Sequence, residues 1–215
     1  MTGLNKVYDM VNARVMAIVL AGAVVIGFGI WGYNWHRARQ EQKAHIAFAD
    51  CIHEYELAYA GQEPWSKVES LCKAAYENNS NSHLAAYFLA LQSDALLHQE
   101  KPEEARLVFK TVMDTLSSSS PLYAVYATKY ALLCLDAPQA DVQQSGLLAL
   151  EKIAYNTSLA ARDEAMYYLG LYYMTHDQSD KAQTVWNDLV AMLNDGQMVG
   201  SPWAALAQAK LQYMA

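Results

Sequence analysis

The sequence predicts an all-α protein in which one membrane-spanning helix precedes a stack of αα-hairpins. Only 10 Gly and 5 Pro occur among the 215 residues, so few positions interrupt a helix. Apolar residues recur at spacings of three and four in one segment after another, and no segment alternates like a half-buried strand. A single uncharged, strongly apolar stretch lies near the N-terminus.

The uncharged stretch runs from Val15 to Tyr33 and is predicted to be a transmembrane helix. Its 19 residues would extend about 28 Å, close to the roughly 30 Å of the hydrocarbon core of a bilayer. Trp31, Tyr33 and Trp35 would form an interfacial belt at one end. No A-x-A cleavage site directly follows the stretch, which makes a cleaved signal peptide the weaker alternative. The chain is therefore divided into an N-terminal tail (1–14), an anchor (15–35) and a soluble helical domain (36–215).

The charges that flank the anchor do not decide which side of the membrane holds the domain. Two basic residues and one acidic residue precede the apolar stretch, and three basic residues and one acidic residue follow it before residue 44. The positive-inside rule compares these counts, and here they nearly balance. The sequence leaves both orientations open.

Small residues on the anchor predict contact with another transmembrane helix. Ala17 and Ala21 are four residues apart, and Gly27 continues the run of small side chains. Such residues let two helix backbones approach closely in a bilayer, although Ala and Gly are also common in spans without a partner. The G-x-G-x-x-G that begins at Gly27 lies in an apolar helix, without the strand that a dinucleotide site requires.

The domain is acidic. The whole sequence has a formal charge of −7, and residues 36–215 hold 13 Lys/Arg and 21 Asp/Glu, a net of −8. A surface of that sign repels phosphate. We therefore expect no nucleic acid partner and little attraction to anionic lipid heads.

No residue pattern nominates catalysis, a cofactor or a metal. The sequence has no H-E-x-x-H, G-x-S-x-G, P-loop or EF-hand pattern, and its three cysteines lack the spacing of a metal finger. Cys51 and His53 come nearest to a ligand cluster, but residues two apart on a helix point about 160° away from each other. We expect a protein that is not an enzyme, with no catalytic, cofactor-binding or metal-binding residues.

Breakers divide the domain into helices joined by short turns. The helical pattern of the anchor continues without a breaker to Gly61, so the span is predicted to run on into the first helix of the domain. Ser82 is expected to cap the third helix. Eight further helices are predicted at about 64–78, 82–98, 102–116, 122–136, 139–155, 159–175, 179–194 and 202–215.

A repeat motif occurs in this series. Leu169-Gly170-x2-Tyr173, followed by Ala182-x3-Trp186, matches the tetratricopeptide pattern. In that pattern small residues permit a close helix crossing, and aromatic residues fill the space between hairpins.

Two further pairs of small residues have the same spacing as the pair in that motif. Ser93 with Ala105 is the better match, because Phe109 follows at the aromatic position, and Cys134 with Gly146 is a weaker one. The motif is loose, so an ordinary helical bundle remains an alternative. The sequence favours a tetratricopeptide-repeat-like solenoid, and such stacks present a concave surface to extended chains or helices.

Tyrosines are the candidate contact residues of that surface. Several of the 15 tyrosines are neighbours on one predicted helix, where they cannot all point into the core. Aromatic side chains with a polar tip are effective anchors for protein partners, although packing between hairpins is the simpler explanation for each. The candidate protein-binding residues are Tyr126, Tyr130, Tyr167, Tyr168 and Tyr172.

Cys51 and Cys72 are predicted to lie near each other. Cys51 is 11 residues before Gln62, the centre of the predicted turn, and Cys72 is 10 residues after it. A disulfide needs Cα atoms within about 7 Å, whereas helix axes usually stand about 8–10 Å apart. Free, buried thiols are therefore favoured.

In its architecture the chain resembles the YfgM-like ancillary subunits of the bacterial Sec translocon. The likeness is most specific at Leu169–Trp186 and in the last predicted helix, Pro202–Met214. It implies a bacterial inner-membrane protein with a periplasmic domain, which contacts translocon subunits, a membrane-bound periplasmic chaperone and secretory clients. It implies no catalytic residues. The flanking charges depart from the family's orientation, and the alternative is a cytoplasm-facing assembly or structural factor of a membrane complex.

Overall fold

The structure, a computed structural model, consists of nine α-helices without a strand in the residues that it describes. These are residues 2–120, 122–156, 161–194 and 200–214, with side chains described for all but 2–27 and 194. The predicted all-α class is confirmed. The helices are α1 (Thr2–Tyr59), α2 (Trp65–Asn78), α3 (Ala85–His98), α4 (Pro102–Thr115), α5 (Tyr123–Leu135), α6 (Ala140–Ala154), α7 (Arg162–Thr175), α8 (Ser179–Asn194) and α9 (Pro202–Met214).

Helix α1 is continuous through the predicted boundary between anchor and domain. Because no breaker interrupts it, the helix keeps all 58 residues and extends about 87 Å. Between residues 28 and 43 the side chains are exposed or half-buried, and Ala44 is the first buried one among the described side chains. Buried packing of the domain against α1 therefore begins at about Ala44, and before that point the α2–α3 turn reaches α1 through Glu41.

Most of the predicted span lies outside the side chains that the structure describes. Residues 15–27, which include Ala17, Ala21 and Gly27, belong to that segment. Among the residues that are described, no helix has a stretch long and apolar enough to cross a bilayer. The anchor stays a prediction.

Helices α7 and α8 cross at Gly170. A Cβ on Gly170 would come within 2.5 Å of Cε2 and 2.7 Å of Cδ1 of Trp186, so only glycine leaves room for the indole ring. The indole nitrogen of Trp186 donates a hydrogen bond to the carbonyl oxygen of Tyr167 at 3.2 Å, and Ala182 is fully buried. The tight crossing is as predicted, but the group that requires glycine is the side chain of Trp186.

The other two predicted pairs also mark crossings. A Cβ on Gly146 would lie 2.8 Å from the Cβ of Cys134, which joins α6 closely to α5. Ser93 in α3 donates a buried hydrogen bond to the carbonyl oxygen of Ala105 in α4 at 2.9 Å. The three pairs twelve residues apart therefore define the register of three consecutive hairpins.

The even-numbered helices α2 to α8 share one burial pattern. Each buries residues at positions i, i+4 and i+7, which lie on one helical stripe. Glu56 stands twelve positions before Val68, so the α1–α2 hairpin lacks the pair of small residues that marked the other three in the sequence. The four sets are Val68-Cys72-Ala75, Ala105-Phe109-Val112, Gly146-Leu150-Ile153 and Ala182-Trp186-Leu189.

Cys51 and Cys72 lie side by side, as predicted from their equal distances to the turn. Both thiols are free and buried, and they form a hydrogen bond with each other. This hydrogen bond, together with burial, raises the pKa of the Cys72 thiol. The contact fixes the pairing of α1 with α2.

The start of α3 differs from the prediction. Ser82 is not the N-cap residue: Leu84 takes that position and the helix begins at Ala85. The Ser82 hydroxyl accepts a hydrogen bond from the backbone N–H of Leu84 at 3.1 Å and donates one to Oε2 of Glu41 at 2.7 Å. Ser82 therefore ties the α2–α3 turn to α1, a contact between distant residues that no capping pattern reveals.

Candidate protein-interaction face

The odd-numbered helices form one face of the stack, called the inner face below. Helix α1 contacts α3, α5 contacts α7 and α7 contacts α9, whereas no two even-numbered helices touch within the described residues. Helices α3 and α5 meet on this face through side chains, at Tyr87 and Tyr126.

Three aromatic rings from successive odd-numbered helices contact one another on this face. The ring centroids of Phe48 in α1 and Tyr87 in α3 are 6.2 Å apart, and those of Tyr87 and Tyr126 in α5 are also 6.2 Å apart. Both contacts are edge-to-face, a favourable geometry for aromatic pairs. All three side chains are half-buried, so each ring packs on the domain and still presents part of its surface.

A second ring cluster lies at the α7–α9 end of the inner face. The ring of Tyr168 lies between Tyr167 and Trp203, with centroid distances of 5.6 Å and 5.3 Å. Tyr168 and Trp203 are half-buried, whereas Tyr167 is only 8% exposed and packs against Trp186. Tyr167 holds the cluster to the core, and the other two rings provide its surface.

Charged side chains connect the two ring clusters. Lys129 in α5 forms an ion pair with Asp94 in α3, with Nζ 3.6 Å from Oδ2. On the other side Lys129 interacts electrostatically with Glu164 in α7. Burial raises the pKa of the Glu164 carboxyl, and the neighbouring Asp163 raises it further, while Lys129 opposes both. The line from Asp94 through Lys129 to Glu164, called the charge line below, carries one more carboxylate than ammonium.

Two of the five candidate tyrosines lie on the inner face as just described. These are Tyr126 and Tyr168, each beside a charged member of the charge line. Burial raises the pKa of Tyr126 to about 12, with Tyr87 and Asp94 contributing. The hydroxyl therefore stays neutral at physiological pH and remains able to donate a hydrogen bond.

The other three candidates have different surroundings, although Tyr130 and Tyr172 share a helix side with Tyr126 and Tyr168, each four residues away. Tyr167 is a core residue, because the indole of Trp186 and the ring of Trp203 cover it. Tyr130 packs against the same core cluster as Tyr126, but its hydroxyl lies beside Cys134 and Arg106, and burial together with a hydrogen bond to Cys134 raises its pKa to about 12. Tyr172 stacks on His176 at the end of α7, with ring centroids 4.0 Å apart.

Sequence reasoning missed six residues of the inner face, which are Phe48, Tyr87, Asp94, Lys129, Glu164 and Trp203. Their placement depends on how one hairpin stacks on the next, which the spacing within a hairpin does not specify. One signal was present in the sequence. Asp94 directly follows the crossing residue Ser93, and one position on a helix turns a side chain by about 100°, away from the crossing.

The inner face offers ring surface, hydroxyl groups and paired charges, which suit contact with another protein. Within the described residues no group of three or more His, Cys, Asp or Glu side chains could hold a metal ion.

Comparison with known proteins gives the fold. The chain is similar to the crystal structure of a kinesin light chain candidate of Podosopora anserina with nearly identical TPR-like repeats, with a TM-score of 0.53 and 15% identity, over 80% of this chain and 81% of that one. A point variant of that protein gives a TM-score of 0.56 at 15% identity, over 80% of this chain and 83% of that one. No protein-family model and no curated protein matches the chain. At this identity the likeness shows the fold alone, and that fold is a tetratricopeptide-like helical repeat.

Proposed function

We propose that this chain is a membrane-anchored scaffold that binds partner proteins on the inner face of its helical repeats. One observation carries the proposal: half-buried aromatic rings stand on successive odd-numbered helices with a charge line between them. Tyr and Trp dominate the binding energy of protein interfaces, because a large rigid ring loses water at little entropic cost. Rings already held by neighbours, as Tyr168 is by Tyr167 and Trp203, need little further ordering on binding.

The charge line indicates the chemistry of the partner. It has two carboxylates for one ammonium, and the Glu164 carboxyl is partly buried. A segment with apolar or aromatic side chains and a basic residue would match the rings and would neutralise the surplus carboxylate. An acidic segment would have to compete for Lys129 alone.

The finer assignment follows the family resemblance. We place the protein in a bacterial inner membrane as an ancillary subunit of the Sec translocon, with its domain in the periplasm. Its partners would be translocon subunits, a membrane-bound periplasmic chaperone and secretory clients. In this proposal the protein has no catalytic activity of its own, and the anchor contributes to partner contact through Ala17, Ala21 and Gly27.

A second candidate is an assembly or structural factor whose domain faces the cytoplasm. The flanking charges of the anchor permit it, because three basic residues follow the apolar stretch and two precede it, which does not favour the periplasmic orientation. All three native cysteines are buried, so a single new surface cysteine distinguishes the two. Thr111→Cys in α4 should react with a membrane-impermeant maleimide on intact spheroplasts. Labelling only after lysis would favour the cytoplasmic candidate instead.

Partner binding is tested with the full chain extracted from membranes. Tyr168→Ala and Lys129→Ala should each reduce the amount of co-purified partner about tenfold or more, the effect of losing an interface hot spot. Thr184→Ala in α8 is the matched control, because it changes an exposed residue of an even-numbered helix. Equal recovery by all three variants would place binding elsewhere on the molecule.

The anchor has a separate test. Replacing Ala17, Ala21 and Gly27 together with Leu should preserve membrane insertion, because Leu is more apolar, and should weaken co-purification with membrane partners. If co-purification is unchanged, the span acts only as a tether.

A further inference from the structure

A polar cleft lies where α1 leaves the domain. One wall is the segment of α1 from Tyr33 to Glu41, and the other is the α2–α3 turn from Asn78 to Ser82. The cleft has a volume of about 560 Å³, within the range of about 300–1,000 Å³ that is typical of small-molecule sites. The residues that line it are of polar types, although polar and apolar atoms contribute nearly equal shares of its surface.

Hydrogen bonds fix the two walls relative to each other. Glu41 accepts one from the Ser82 hydroxyl at 2.7 Å and one from the backbone N–H of His83 at 3.4 Å. Within the turn, Asn79 donates its side-chain amide to the carbonyl oxygen of Ala75 at 2.8 Å. The hydrogen bond from Ser82 is the main reason that the pKa of Glu41 is lowered, so Glu41 remains a carboxylate near neutral pH.

The position of the cleft along α1 matches the headgroup layer of a membrane. The predicted span ends at Tyr33, and Arg37 and Glu41 follow it by about 6 Å and about 12 Å along the helix axis. The polar layer on each side of a bilayer is about 5–8 Å thick, which follows from a core of about 30 Å and a total thickness of about 40–45 Å. Arg37 would therefore lie within this layer, and Glu41 would stand about 4–7 Å beyond it on the aqueous side.

The cleft contains one residue of each charge. Arg37 and Glu41 stand one helical turn apart on the same wall. A guanidinium binds a phosphodiester with two hydrogen bonds, and a carboxylate binds a primary ammonium. A headgroup with only negative charge would meet the Glu41 carboxylate, and a quaternary ammonium would have no N–H to donate to it.

We propose that this cleft binds a phospholipid headgroup of the ethanolamine type, with the phosphodiester at Arg37 and the ammonium at Glu41. The proposal rests on the membrane anchor of the proposed function. In this proposal α1 anchors the chain and also holds the α2–α3 turn against the bilayer surface, which fixes the orientation of the domain relative to the membrane.

The test uses the full chain in detergent, mixed with equal amounts of phosphatidylethanolamine, phosphatidylcholine and phosphatidylglycerol, with bound lipid read by native mass spectrometry. Phosphatidylethanolamine should be retained most. Arg37→Gln should reduce its retention about tenfold, as expected for one lost charge-assisted contact. Glu41→Gln can still accept the hydrogen bond from Ser82 and should remove the preference for ethanolamine over choline. Arg39→Gln is the matched control, because Arg39 lies over the ring of Trp35 and outside this cleft.

Equal retention of the three lipids, a preference for phosphatidylglycerol, or equal losses in Arg37→Gln and Arg39→Gln would overturn the proposal. Titration of the full chain with water-soluble glycerophosphoethanolamine separates headgroup recognition from binding of acyl chains, and a complete lack of binding would also count against the cleft. Flotation with liposomes tests the anchor independently. A chain that floats but shows no preference for ethanolamine refutes the cleft alone, whereas a chain that does not float refutes the anchor.

Discussion

The hairpins α1–α2 and α7–α8 fill the space between their two helices with different residues. Trp186 and Cys72 occupy the same position of the buried stripe. In α7–α8 the indole supplies the volume itself, and Gly170 on the facing helix leaves room for it. Around Cys72 the corresponding space is filled by side chains of odd-numbered helices instead. Phe48 of α1 and Phe88 of α3 pack there with ring centroids 5.7 Å apart. The repeat therefore requires that the space at the helix crossing is filled, and it does not require one particular residue type at that position.

The largest expected effect comes from truncating the two equivalent residues. Trp186→Ala should lower the free energy of unfolding by about 3–5 kcal/mol, because it leaves a large cavity and removes the hydrogen bond to Tyr167. Cys72→Ala removes a single sulfur atom and should cost about 1 kcal/mol. Urea denaturation of both variants measures the difference. Similar losses would show that the neighbouring rings do not fill the first crossing.

Overpacking the α7–α8 crossing gives the next largest effect. Gly170→Leu should reduce stability by about 1–3 kcal/mol, because its side chain must displace the indole of Trp186. Adding Trp186→Leu to this variant should recover part of the loss, which a double-mutant cycle would detect as coupling. A thermal midpoint equal to that of the unchanged protein would mean that the crossing is not at Gly170.

The stability of the middle of the stack, around Tyr126 and Tyr130, should decrease at alkaline pH. Burial raises the pKa of both Tyr126 and Tyr130 to about 12. Each folded pKa lies above the ordinary value of about 10, so this stabilisation is complete below pH 10 and is lost as pH rises toward 12. Absorbance at 295 nm should show the ionisation of Tyr126 and Tyr130 in a late phase of the titration. In Tyr126→Phe the amplitude of the late phase should decrease, because one buried hydroxyl is lost. An unchanged late phase would mean that the hydroxyl of Tyr126 is exposed to solvent.

The smallest effect is expected at the α3–α4 crossing. Ser93→Ala keeps the small size that the crossing needs and loses the buried hydrogen bond to Ala105, so it should cost about 1 kcal/mol. Ser93→Leu should cost more, as Gly170→Leu does. A thermal melt compares the two variants. If Ser93→Ala were less stable than Ser93→Leu, the small size of residue 93 would not be what allows α3 and α4 to approach closely.

The sequence was sufficient for features that depend on one hairpin. Helix boundaries follow from breakers, except at the start of α3, and the three crossings follow from pairs of small residues twelve positions apart. The contact of Cys51 with Cys72 follows from equal distances to a turn. Each of these rests on helical periodicity and on the geometry of two antiparallel helices.

Features that depend on stacking between hairpins were not predictable in this way. Trp203 reaches Tyr168 from the next odd-numbered helix, and Lys129 stands between carboxylates on two others. Ser82 bonds to a residue 41 positions away. A small change in the rotation of one hairpin on the next would separate these groups, and the spacing within a hairpin does not fix that rotation.

The central claim, that the inner face binds proteins, is tested most directly by site-specific photocross-linking in living cells. A benzoyl-phenylalanine placed at Tyr168 or Tyr87 should form cross-links to partner proteins. The same probe at Lys110 in α4 or Asp188 in α8, both exposed on even-numbered helices, should form few or none. Cross-links from the even-numbered helices, with none from Tyr168 or Tyr87, would contradict the account.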